Sequence, residues 1–130
     1  MAGSFTDYLE DKILKHVFTN VAYTSPTTVY VGLFTVAPSD TGGGTEVSGS
    51  GYARKSAAFT VSGTGTLATN SAAIEFDAAT GSWGTIVAIA VFDALTTGNM
   101  LAFADLTTSK SIATGDVLRI PAGDLDITLS

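Results

Sequence analysis

One histidine, two closely spaced carboxylate pairs and a run of three glycines are the residues in this chain whose types suggest chemistry. Any Ser-His-Asp relay would have to use His16, yet no G-x-S-x-G elbow is present, and general-base work needs an oriented partner that the spacing does not supply. A helix-end or solvent-facing histidine is the plainer reading. Asp124 and Asp126 are spaced D-x-D after Gly123, and Glu75 and Asp77 repeat that spacing. On a strand each pair shares one face. Calcium needs six or more oxygens and the EF-hand pattern is absent, and nothing raises either pair to a glycosidase's two carboxylates. Gly42, Gly43 and Gly44 lack a following Lys-Ser/Thr, so they form no phosphate loop. Flexibility, or close approach to a partner's backbone, is their physical use. Trp83 and Tyr52 have the faces to stack on a sugar, but a tryptophan in a small β domain more often fills the core. The absence of cysteine removes disulfides, thiol catalysis and Cys-type zinc sites together. The expectation is a protein that is not an enzyme, with no catalytic residue, cofactor or metal.

Composition narrows the partners. The formal net charge is −6, and the six basic residues (Lys12, Lys15, Arg54, Lys55, Lys110, Arg119) are scattered apart from one adjacent pair. Phosphate contacts need clustered Lys and Arg, which argues against direct nucleic-acid binding. Charged residues make up 14% of the chain and hydrophobic ones 45%, the balance of a folded domain whose surface is partly covered by partners. The N-terminal M-A-G-S-F-T-D-Y-L-E-D-K is acidic and lacks an apolar core, so no signal peptide is expected. The longest apolar run, Ile86 to Phe92, is too short to span a bilayer.

The elements that must position these residues are mostly strands. The chain is expected to fold as one domain over residues 1–130: a single antiparallel β-sandwich or jelly-roll-like domain of about seven or eight strands over residues 28–129, preceded by one N-terminal helix. The helix is expected over residues 4–19, with Ser4 or Thr6 as N-cap, Asp7, Glu10 and Asp11 in the first turns, and Lys12, Lys15 and His16 toward the end. Phe5, Leu9, Ile13 and Val17 form its apolar stripe, widened by Leu14 and Phe18. Asn20 suits the left-handed residue that ends it. Val29 to Val36 and Ile86 to Phe92 carry apolar residues on both faces and read as doubly buried strands. Gly32 marks a bulge or a close backbone approach. Tyr52 to Val61 reads as one strand and Thr107 to Ser111 as a polar connection. Leu125, Ile127 and Leu129 alternate in the last strand. Between the first two strands lies a long, glycine-rich loop, residues 37–51, longer than compact domains usually carry. It is expected to extend from the domain and touch something.

Read together, S-F-T-D-Y-L-E-D-K-I-L-K-H-V-F, the block V-Y-V-G-L-F-T-V-A-P-S-D-T-G-G-G-T-E-V-S-G-S-G-Y-A-R, S-W-G-T-I-V and A-G-D-L-D-I-T-L resemble small structural proteins of tailed bacteriophages. That family is often labelled as tail fibre proteins and is similar to capsid decoration, or cement, proteins. The resemblance covers nearly the whole chain and implies a virion protein, assembled in the bacterial host cytoplasm, with no catalytic residues. Its first implication is a cement protein that binds the capsid's outside as a homo-oligomer, a trimer over a local three-fold axis, with the phage major capsid protein as partner. The short chain, without repeats or coiled coil, favours that placement. The alternative is a tail fibre or tail-tip component that attaches to the host and contacts tail proteins. The expected partner contacts are Phe5, Leu9 and Ile13 on the helix, Pro38, Gly42, Gly43, Gly44 and Val47 in the loop, and Tyr52 and Arg54 where the loop returns.

Overall fold

The chain's N-terminal residues are not helical from the start. In a computed structural model, which describes residues 1–63 and 65–128, Ala2–Phe5 form a first strand, β1. It runs antiparallel to β9 (Met100–Ile112) and parallel to β11 (Asp126–Thr128). The helix α1 begins only at Asp7 and runs to Phe18. This corrects the expected start at residue 4. The backbone of residues 2–5 is satisfied by two ladders, and Thr6 then caps the helix by accepting the Leu9 N–H on its side chain at 3.4 Å. Thr6 is buried, and its hydroxyl donates to the Met100 carbonyl at 2.7 Å, so the cap is also a tie to the sheet. Asn20 follows the last turn at φ 59°, and the Val21 N–H reaches back to the Lys15 carbonyl.

The fold is mainly β. The remaining strands are β2 (Val29–Val36), β3 (Thr45–Glu46), β4 (Lys55–Ala57), β5 (Phe59–Val61), β6 (Leu67–Asn70), β7 (Ile74–Glu75), β8 (Gly84–Phe92) and β10 (Arg119–Ile120). The described residues thus hold eleven strands rather than seven or eight, because several segments pair over only two or three residues. The main sheet runs β3-β2-β8-β9-β1-β11-β6-β5, with β4 also on β2, and β10 pairs with β7 apart from it. Its pairs are antiparallel except β1 with β11. The stretch expected as one strand from Tyr52 divides at Ala58. Lys55–Ala57 pair with β2 at one end of the sheet, and Phe59–Val61 pair with β6 at the other. One segment thereby links the two ends, and the sheet curls on itself as in a sandwich whose corner strands switch sides.

β2 and β8 are the doubly buried strands their residues suggest. Val31, Leu33, Ile89 and Val91 face the main core with Ile86, Phe76, Trp83, Leu125 and Ile127. Phe34, Ala88, Ala90 and Phe92 form a second cluster on the other face, where the Phe34 and Phe92 rings stack at 6.1 Å. The segment Thr107–Ser111 is not a connection but the far part of β9, because Gly84, Thr85 and Ile86 pair with Ile112, Ser111 and Lys110. Tertiary pairing overrides the polar local sequence there. Val117 to Ile120 shortens to the two residues of β10. Leu129, the last residue of the expected alternation, lies outside the described residues, as does Thr64.

Candidate interaction surfaces

The long loop is largely fastened down, against the expectation that it would extend. Thr45–Glu46 return as β3 against Phe34 and Val36. Val47 is buried, and its N–H donates to the Leu33 carbonyl at 3.0 Å. The Ser50 carbonyl accepts both the Trp83 indole N–H and the Thr80 N–H at 2.9 Å. Gly44, at φ 74°, sits so close to Val36 and Pro38 that a Cβ would lie 2.6 Å from the Val36 carbonyl oxygen. Pro38 is buried as well. The tip reaches outward: Ser39 and Gly42 exchange backbone hydrogen bonds, and a Cβ on Gly42 or Gly43 would meet open space. The Asp40 carbonyl accepts the Asp7 N–H at 2.8 Å, so the tip is held against the first turn of α1.

Tyr52 and Arg54 are committed inward. Arg54 is only 9% exposed. Its Nε and a terminal nitrogen donate to both Glu46 carboxylate oxygens at 2.8 Å, and its other terminal nitrogen donates to the Ala94 and Thr97 carbonyls at 2.9 and 2.7 Å. The guanidinium lies 3.5 Å from the centre of the Phe92 ring. Tyr52 donates its hydroxyl to Glu46 at 2.6 Å and accepts the Leu33 N–H at 2.9 Å. This network fills the gap along β2 between its pairings with β4 and β3. Gly32 makes room for it, since a Cβ there would come 2.6 Å from a Glu46 oxygen. Burial, with the Glu46 carboxylate beside it, pushes the Tyr52 phenol well above the ordinary value of 10.0. Val47, Tyr52 and Arg54, expected as partner contacts, thus hold structural places within the domain. The sequence signal that points to this was Gly32 inside a strand, facing a Tyr-x-Arg segment and a lone loop glutamate.

The loop tip, the start of α1 and the turn at Gly98–Met100 enclose a cleft of about 650 Å³. Phe34, Phe92 and Met100 line it, with Arg54 and Glu46 also reaching it. On the helix, Phe5 belongs to β1 and packs on the main core, while Leu9 and Ile13 are half-buried. The apolar residues that face outward are Leu14, Val17 and Phe18, at 56, 61 and 78% exposure, with Val21 beyond the turn at 53%. None of the helix's residues is fully buried.

The residues first weighed for chemistry are dispersed. The exposed His16 accepts the Tyr23 N–H on Nδ1 at 3.1 Å and so braces the chain after the helix. Asp77 pairs with Lys55 at 2.9 Å, and Glu75 lies 3.9 Å from Arg119. Trp83 is buried edge-on to Tyr52, with ring centres 5.5 Å apart. Among the described residues no three His, Asp or Glu side chains converge where a metal ion would be held, and no helix is long and apolar enough to cross a membrane.

What fold and surface define together is a small structural β domain with a tightly cross-braced loop and an outward apolar helix face. The family model described as Podophage GP4 fiber I protein gp80 matches residues 4–128. The chain belongs to that family of phage fibre-like structural proteins and is accordingly a virion structural protein. No curated protein matches it.

Proposed function

We propose that this chain is a fibre component of a tailed bacteriophage, assembled in the host cytoplasm and joined to other tail proteins, rather than a capsid cement protein. The carrying observation is the family match over residues 4–128, whose description is of a fibre protein. It favours the tail alternative over the capsid placement that chain length alone suggested. The domain works by contact area. In support, its carboxylate pair at Glu75 and Asp77 lies beside cations and its one histidine braces a turn, so a catalytic role is not assigned. Specific stable contacts bury roughly 1,200–2,000 Å² in total, and the outward helix face, the loop tip and the cleft beside them are the surfaces on offer.

The test is the protein's stoichiometry and place in purified particles. Quantitative mass spectrometry against the major capsid protein, with antibody labelling seen by electron microscopy, is expected to give far less than one copy per capsid subunit and label at the tail. A ratio near one, with label over the shell, would overturn the proposal and return the chain to the capsid surface.

A further inference from the structure

We infer that the cleft between the loop tip, the first turn of α1 and the turn at Gly98–Met100 is a binding site for a basic side chain, a Lys or Arg presented on a segment of another protein. The cleft measures about 650 Å³, within the roughly 300–1,000 Å³ of ligand clefts. Its floor is apolar: Phe34 and Phe92 are buried and Met100 is half-buried. Its rim is polar and exposed, with Asp7 at the start of α1, Asp40 and Thr41 on the loop tip, and Asn99 opposite in sequence. Such a site matches a side chain with an alkyl stem and a charged head. The stem covers apolar surface while the head stays at the wet rim.

The charge of the rim selects a cation. Three carboxylates, on Asp7, Asp40 and Glu46, reach the cleft with one guanidinium, that of Arg54. Glu46 and Arg54 neutralise each other through two bonds of 2.8 Å, which leaves Asp7 and Asp40. Among the described residues neither has an ion-pair partner. Lys12, held over the Tyr8 ring at 5.5 Å, does not line the cleft. The chain's net charge of −6 adds a field of the same sign, so an anionic ligand is repelled. A sugar finds no aromatic face to stack on, because Phe34 and Phe92 are 3 and 6% exposed and the Arg54 guanidinium lies over Phe92. The Thr41 hydroxyl and the Asn99 amide can bond the backbone that carries a basic side chain, which favours a polypeptide over a free amine. The walls are also set in advance. The Asp7 N–H is held by the Asp40 carbonyl at 2.8 Å, and Asn99 donates its backbone and side-chain N–H groups to Asp93 at 2.8 and 3.0 Å. A site that needs no ordering loses less entropy on binding. This inference rests on the reading that the domain works by contact, but not on the fibre placement: particle stoichiometry can fail while a basic segment binds, and the reverse.

The experiment is an NMR titration of the isotope-labelled chain with the peptide acetyl-Gly-Arg-Gly-amide. Its counterpart carries citrulline, which keeps the shape of arginine and loses the charge, and 1,5-diaminopentane supplies a free amine. The arginine peptide is expected to shift the amides of residues 7–8, 40–44 and 98–100 saturably, with a Kd on the order of 1 mM. The citrulline peptide is expected to bind about fivefold more weakly, as is the arginine peptide to the double variant Asp7→Asn/Asp40→Asn. Because Asp7 also serves the helix N-terminus, Asp40→Asn alone keeps the test clear of folding effects: about twofold weaker binding is expected, with an unchanged melting temperature. Absence of binding overturns the inference, as do equal binding of the two peptides and shifts that map away from the cleft. So does affinity that the double variant leaves intact, or saturable binding of the diamine without the peptide, which would make the cleft a site for free amines.

Discussion

Replacing Arg54 with alanine should cost this domain about as much as any single polar substitution can. The guanidinium makes two bonds to Glu46 and two to backbone carbonyls, and lies against the Phe92 ring. Removing one partner of a buried ion pair costs about 3–5 kcal/mol, because the other charge is left unpaired. Glu46 keeps 24% of its side chain exposed, and water reaching it moves the expected loss to the lower end, about 3 kcal/mol. In a domain of this size that lowers the melting temperature by roughly 10 °C. Arg54→Lys should recover little, since an ammonium cannot bridge both carboxylate oxygens while holding two carbonyls. The assay is urea unfolding and thermal melting of wild type, Arg54→Ala, Glu46→Gln and the double variant. The double variant should be less destabilised than the sum of the singles, by more than the about 0.5 kcal/mol expected of independent sites. A loss under about 1 kcal/mol for Arg54→Ala, the worth of an exposed pair, would refute the reasoning, as would simple additivity.

Two further outcomes follow from the same region. Tyr52 holds its proton more tightly folded than unfolded, so its contribution is fully present below the unfolded value near 10 and is lost as pH rises past it. Stability measured against pH should fall above about pH 10, and Tyr52→Phe, itself destabilising by about 1–2 kcal/mol, should flatten that fall. Some alkaline loss should remain, because burial also raises the Tyr23 phenol; an unaltered slope would contradict the assignment. Shortening the loop tip at Thr41–Gly43 should leave the melting temperature nearly unchanged, whereas deleting residues 40–50 should unfold the domain by removing Glu46, Val47 and the Ser50 carbonyl, and equal melts for the two deletions would count against the loop's fastening.

What could be read from the chain before its structure follows from how local each signal is. β2 and β8 are legible because β-branched and aromatic residues fill both faces of a short run. Asn20 as the helix end and Gly32 as a close approach are legible because each answers one backbone demand. β1 is not legible: four residues carry no alternation, and their partners lie about a hundred positions away. That miss carried into the helix, where Phe5 was counted into the stripe with Leu9 and Ile13 although it belongs to β1. The far part of β9 reads as polar connection because it is exposed and held by pairing alone. Arg54 reads as a surface contact because a basic residue after a glycine loop is usually solvated, and only the fold brings Glu46, Ala94 and Thr97 around it.

The position of β1 also sets an order of events during synthesis. Residues 2–5 leave the ribosome long before residues 126–128, yet they pair with both β9 and β11, with Ala2 opposite Asp126. Closing so long a loop costs entropy that local contacts cannot repay in advance, and non-local pairings of this kind slow folding. The nascent chain must therefore keep residues 2–5 in waiting while the rest of the sheet forms. Until then the edge of β9 is open, and a neighbouring copy's unplaced segment carries the same residues that fit there. Copies translated side by side are the setting in which that competition matters most.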